Sequence, residues 1–266
     1  EHYDGGRTYM ARWNRLKRFS GGLWIHKGSH DFDAINWLLE GAHPIRVSCM
    51  GNVAVLNEKG LPFQLRDGVK PGPNCAHCAY LAECPDVFGR RLLYNEETRH
   101  HMKDREAMFG DKAATIDGYH KDECMYLSEK DTHDHGFAIV EYDTGALAMH
   151  SECFVTSITD RRYILDGALG NGYASVHGNK IEVSPRWSKD RTTHQISRGS
   201  GGHGGSDPKM CKEFIECILK DRRMTASGID GAWSVAIGQA CELARAEARM
   251  VNISETLDAD SDLLKG

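Results

Sequence analysis

The stretch Ser20-Gly-Gly-Leu-Trp-Ile-His-Lys-Gly-Ser-His-Asp-Phe-Asp33 places two histidines, a lysine and acids within His26–Asp33. It runs without a break into Ala-Ile-Asn-Trp-Leu-Leu, which is apolar at helical spacing. Ionisable groups at the start of a core-seeking helix carry a desolvation cost that Ser, Thr or Asn would reduce. Trp24, Phe32, Ile35, Leu38 and Leu39 can form one buried stripe. His26 and His30 are four apart and share another face, with Lys27 and Asp31 on a neighbouring one. The segment reads as a helix anchored on one side and presenting titratable groups to a cleft on the other. The competing reading is a capped helix whose polar residues are only solvated.

Other groups have chemical potential. Cys75-x2-Cys78-x5-Cys84, with Cys124 further on, has the spacing of a thiolate site for one tetrahedral zinc. Cys124 is the preferred fourth ligand and His77 the alternative; a loop of free thiols is the rival reading. The remaining cysteines read as small core hydrophobes. Asp131-Thr-His-Asp-His135 could hold a metal, but more simply sets a strand start and contacts the site helix. Arg12 and Trp13 could line the cleft by stacking on and hydrogen bonding to a sugar-like ring. His203 and Asp207 could reach a polyol hydroxyl, although Asp207 also suits a helix N-cap. Gly199-Ser-Gly-Gly-His-Gly204 matches G-x-G-x-x-G, yet polar, irregular residues precede it and no second strand follows its helix. We therefore read a glycine loop there, not a dinucleotide cradle.

The elements that must position these groups follow from periodicity. Residues 7 to 18 read as an extended segment or edge strand, and the opening helix spans about 21 to 40. A strand from Ile45 to Leu56, a Gly/Pro-marked loop and the Cys-bearing stretch come next, then a polar region with helical potential at about 95–109. Gly136–Tyr142 and Ala146–Phe154 form a hairpin about Asp143-Thr-Gly145. Arg161–Asp166 and a hairpin of Tyr173–His177 with Lys180–Val183 follow, then helices from Asp207-Pro208 and over about 230–250. This is an α+β pattern: an open-faced, mostly antiparallel sheet with helices on one face. The net charge of −5 disfavours a nucleic-acid or anionic-membrane partner. No apolar run approaches membrane-spanning length. An odd count of nine scattered cysteines suits a reducing compartment, so a cytoplasmic location is expected. The chain begins at Glu1, so an upstream targeting segment stays open.

Gly21-Gly22-x3-His26-Lys27-Gly28-Ser29-His30-x2-Asp33 resembles G-G-x-x-x-D-x-G-x-H-x-x-D of the glucose–fructose oxidoreductase / inositol dehydrogenase / rhizopine-catabolism (Gfo/Idh/MocA) family. Cys124-Met-Tyr, Ser128-Glu-Lys-Asp131 and Asp134-His135 are similar to a branch of it. So are Gly201-Gly-His-Gly-Gly-Ser-Asp207 opening a helix and Ala244–Arg249 in the last one. The resemblance implies a substrate-binding and oligomerisation sheet, with NAD or NADP held by an upstream Rossmann domain. It also implies a catalytic lysine in a Glu-Lys-Pro motif. Neither the Rossmann fingerprint nor that motif occurs in these residues, so residues 1–266 are expected to be one C-terminal domain of a longer enzyme, with a Cys-bearing insertion at about 57–130. On its own the chain is expected to be inactive.

His30 matches the family's catalytic histidine. An imidazole suits that role because it titrates near neutrality and can take a hydroxyl proton as hydride leaves the same carbon. His26 stands where the family has Asp; it would share the proton or bind a second hydroxyl. Arg12, Trp13, Lys27, Asp33 and His203 would bind substrate. The expected activity is NAD(P)-dependent oxidation or reduction of a sugar, polyol or related carbohydrate, in a homo-oligomer joined through the open sheet face. The rivals are a non-catalytic carbohydrate-binding or oligomerisation module and a zinc-dependent hydrolase.

Overall fold

Alternating apolar positions and tight glycine turns produce two four-stranded antiparallel sheets. The computed structural model describes residues 6, 9–88, 122–156, 158–197, 199–200, 202–258 and 261. The helix expected at about 95–109 lies outside them. Among the described residues no helix is long and apolar enough to cross a membrane.

The chain divides into two compact bodies where the sequence reads as one domain: His2–Val155 with Ile229–Gly266, and Thr156–Gly228. In the first, the strands are β1 (Pro44–Asn52), β2 (His135–Tyr142), β3 (Leu147–Cys153) and the short β8 (Val251–Asn252), ordered β3-β2-β1-β8. Register places Cys49, Ala138 and His150 side by side on the inner face, with Met50, Phe137, Ile139 and Met149 on the outer. In the second body, β4 (Arg162–Gly167), β5 (Gly170–Ser175), β6 (Lys180–Pro185) and β7 (Thr192–Gln195) follow one another as a meander. The helix α4 (Gly202–Lys220) comes after them. The single sheet expected from sequence is thus two sheets. β7 occupies residues read as irregular, because polar Thr192–Gln195 pair with β6 through backbone alone.

The site-bearing segment also differs from the expected single helix. Residues expected to be extended form a 3-10 turn, Trp13–Arg15, and a helix α1, Lys17–Ser20. The opening helix is broken into α2 (Leu23–His26) and α3 (Gly28–Leu38) at Lys27. α2 is wedged between two cores. Leu23 enters a cluster with Tyr9, Met10, Leu56 and Phe154. Trp24 enters another with Phe32, Val47, Val140 and residues of α5 (Gly228–Glu247). Ile35 and Leu39 pack on that second core, but Leu38 is exposed, because the break at Lys27 rotates the face that α3 turns inward.

Two glycines allow the segment its close seat. Gly22 has φ 101°, and a Cβ there would overlap the Glu242 carboxylate of α5. Gly238 lets α5 approach so closely that a Cβ would lie 2.8 Å from the Trp24 carbonyl oxygen and 3.1 Å from Ile25 Cα. Both obstacles are backbone, so Gly238→Ala should push α5 from α2 and destabilise the chain by about 1–3 kcal/mol. Chemical denaturation measures this; an unchanged midpoint would mean that the contact is not tight.

Candidate active site

The broken segment gathers polar groups around His26. Its imidazole is half-buried and meets Trp13 edge-on at 5.2 Å and Tyr9 at 5.9 Å, between ring centroids. Asn14 Nδ2 lies 3.3 Å from His26 Nε2. An amide nitrogen only donates, so this contact makes Nε2 the acceptor and leaves the ring proton on Nδ1. Burial, and then the charges of Lys27, His30 and Arg12, lower the proton affinity of His26 below the usual histidine value. It is therefore neutral at pH 7, able to exchange hydrogen bonds with a hydroxyl. His30 lies one turn beyond the break and is exposed on α3, its N–H directed at the Lys27 carbonyl at 3.2 Å.

Of the residues expected to line a cleft, Arg12, Trp13, Lys27 and His30 thus cluster with His26. Asp33 is half-buried further along α3. His203 belongs to the second body, where its Nδ1 meets Asp207 Oδ1 at 2.8 Å. Sequence reasoning missed Tyr9 and Asn14; their position beside Arg12 and Trp13 was the available signal.

Behind the site, Asp131–His135 position α1 and α2, as their sequence suggests. Asp131 Oδ1 accepts from Lys17 N–H at 2.7 Å, and Thr132 Oγ1 from Leu23 N–H at 3.2 Å. His133 stacks on Trp24 with centroids 4.5 Å apart. Asp134 accepts backbone N–H groups from Ala54, Val55 and Leu56 at 3.2, 2.8 and 2.7 Å, and binds His135. Burial alone would raise its pKa; these bonds outweigh burial and lower it.

Glu152, on the buried face of β3, bridges His133 and His150. Burial works against its charge, but hydrogen bonds from both histidines hold its pKa at about 2. This network is a platform under Trp24 and Phe32, since His150 lies 5.7 and 5.1 Å from their rings.

Cys75, Cys78, Cys84 and Cys124 line a cavity in the first body; His77 does not. Burial pushes the Cys84 thiol up to about 11. Among the described residues no three His, Cys, Asp or Glu side chains are grouped closely enough to hold a metal ion, so zinc ligation is not on display here. The Cys211 thiol is exposed and Cys153 half-buried, against their expected place in the core; Cys49, Cys217 and Cys241 are buried.

The described residues also do not fit a dinucleotide. Every strand pairing is antiparallel, so the parallel unit of a nucleotide fold is lacking among them. The glycine run follows β7, and His203, Gly204 and Gly205 all have positive φ inside α4.

Antiparallel sheets with helices packed against the first of them define the class as an α+β domain. Residues 1–83 and 88–253 match the Gfo/Idh/MocA oxidoreductase family, C-terminal alpha/beta domain, and the chain belongs to that family. YteT of Bacillus subtilis (strain 168), which its name assigns provisionally to the oxidoreductases, is 28% identical over 269 residues, covering 94% of this chain and 60% of YteT. A levoglucosan dehydrogenase solved with NADH and levoglucosan superimposes with a TM-score of 0.61 at 10% identity, over 95% of this chain and 56% of that one. An NAD binding oxidoreductase from Klebsiella pneumoniae gives 0.57 at 14% identity, over 91% and 54%. Likeness at these identities is likeness of fold. The chain spans little more than half the length of these relatives.

Acid stability should report the Glu152 network. A carboxylate with its pKa lowered from 4.5 to about 2 contributes stability that is complete above about pH 4.5 and lost as pH falls towards 2. Glu152→Gln should flatten that slope in denaturation curves between pH 5 and 2. An unchanged slope would place the acid sensitivity elsewhere.

Proposed function

We propose that this chain is the substrate-binding part of an NAD(P)-dependent dehydrogenase acting on a sugar, polyol or related carbohydrate. The observation that supports this best is the arrangement around His26: a neutral imidazole beside an indole, with His30, Lys27 and Arg12 close by. An indole offers an apolar face to a sugar ring, while the imidazoles and cations offer hydrogen bonds to its hydroxyls. Family membership and the sugar ligand named for the levoglucosan dehydrogenase support the substrate class.

In this reading His30 moves the proton of the reacting hydroxyl, and its exposure leaves it open to a ligand. His26, held by Asn14 and Trp13, binds a neighbouring hydroxyl. Lys27, Arg12 and Asp33 orient the substrate. His203 is carried by the second body, where with Asp207 it could bind a hydroxyl of its own accord. The nicotinamide nucleotide supplies hydride chemistry and is expected to be held outside the described residues.

The outer face of the first sheet supports a homo-oligomer. Met50, Phe137, Ile139, Leu147 and Met149 are each about half to three-quarters exposed there, 49–75%. A patch of this kind marks an interaction surface.

Two experiments test the reading. In the enzyme that carries this domain together with its nucleotide-binding part, His30→Ala should lower polyol-dependent NAD(P) reduction by about 10²–10⁴-fold with little change in Tm. Near-normal turnover would remove His30 from the proton-transfer role. For the sheet face, Ile139→Lys with Met149→Lys should shift the native mass to a smaller species in light scattering while the circular dichroism spectrum is kept. An unaltered oligomer would put the contact elsewhere.

A further inference from the structure

Asn14 sits in the 3-10 turn Trp13–Arg15 and is only 3% exposed. Its neighbour Arg15 pins that turn. The Arg15 guanidinium donates to the carbonyls of Arg12 and Glu129, each at 2.9 Å, and pairs with Glu123 at 3.3 Å. Just beyond, Lys17 N–H donates to Asp131 at 2.7 Å. So held, the Asn14 amide brings Nδ2 to 3.3 Å from His26 Nε2. Its other end, Oδ1, is buried with no partner among the described residues. A buried carbonyl left unpaired is costly, and an apolar residue of similar volume would avoid that cost. What Asn supplies here and such a residue cannot is an N–H, and that N–H is aimed at the imidazole. On the far side of the ring, no group among the described residues takes a hydrogen bond from Nδ1 of the half-buried His26.

We propose that Asn14 is a positioning residue: it fixes His26 in the Nδ1–H tautomer and so makes this ring a hydrogen-bond donor to an oxygen of the substrate. The substrate half of this inference rests on the dehydrogenase reading; the tautomer rests on the geometry alone. An amide N–H facing Nε2 resists a proton there, because two donors would then meet. Burial, and then Lys27, His30 and Arg12, act in the same direction. His26 is thus poorly placed to collect a proton, and proton transfer falls to His30 on the next helix. The polarity sets specificity. The resembling motif has Asp at position 26. An ionised carboxylate only accepts, so a hydroxyl facing it must donate. The Nδ1–H only donates, so an oxygen facing it must accept, which a carbonyl, an ether or a hydroxyl lone pair can do. A histidine held in this way reads the opposite hydrogen-bond polarity from Asp.

Nitrogen NMR of the full chain carrying isotope-labelled histidine reads the tautomer, with His26→Phe identifying the resonances. At about pH 7 His26 Nε2 should show the shift of a bare ring nitrogen and Nδ1 that of a protonated one. Asn14→Asp puts an acceptor where the donor was and should raise the proton affinity of His26 by about tenfold or more. Asn14→Leu should let both tautomers appear. In the enzyme that joins this domain to its nucleotide-binding part, Asn14→Leu should raise the polyol KM by about 5–20-fold and change kcat by less than about threefold. Because a variant can fail to fold, the unaltered chain decides by itself: a proton on Nε2 overturns the proposal. So does an unmoved titration in Asn14→Asp, or an unmoved KM in Asn14→Leu. The nitrogen shifts are read without substrate. Absence of polyol turnover in the unaltered enzyme would therefore overturn the dehydrogenase reading, and with it the substrate half of this one, while the tautomer stands on its own spectrum.

Discussion

The seat of Trp24 is the constraint on which the rest of the first body depends. The indole is fully buried, stacked on His133 and flanked by Phe32 and His150. Its backbone carbonyl abuts α5 at Gly238. A residue gripped from sheet and helix together has no freedom to slide, so α2 is fixed in both register and rotation. Leu23, its neighbour, is held in the other core. The direction in which His26 points is therefore decided by hydrophobic packing.

That packing stands on charged material. Glu152, His133 and His150 are buried beneath the indole, where an unpaired charge would cost several kcal/mol. Mutual hydrogen bonding makes the arrangement tolerable and makes it directional, since each imidazole must present a particular nitrogen to the carboxylate. A purely apolar floor would have been cheaper to bury and less specific about where the indole lies.

Much of this was legible in the sequence, for identifiable reasons. The hairpin at Asp143–Gly145 was readable because turn chemistry is local, and Gly145 indeed has φ +81°. Family membership was readable because Gly21-Gly22, His30 and Asp33 keep their spacing through the break that separates α2 from α3. The break itself was not readable: Lys27 and Gly28 disturb no periodicity, and only the fit of Gly28 beneath Trp24 and Phe32 demands it. The buried face of β3 misleads pattern reasoning altogether. Leu147 and Met149 point outward, while His150 and Glu152 point in, the reverse of the usual assignment. Convergence of Cys124 with the Cys75 loop was suggested by residue type alone; the backbone pairing that produces it is long-range.

The break at Lys27 has an evolutionary consequence. An unbroken helix would carry His26 and His30 as one rigid object, and any change in its tilt would move both. Here they are mounted on separate pieces, α2 held between two cores and α3 by Phe32 and Ile35. A lineage could exchange residues around His26, even the residue type at that position, while the mounting of His30 stayed as it was. The histidine at position 26, where the resembling motif has Asp, is the kind of difference that such a joint permits.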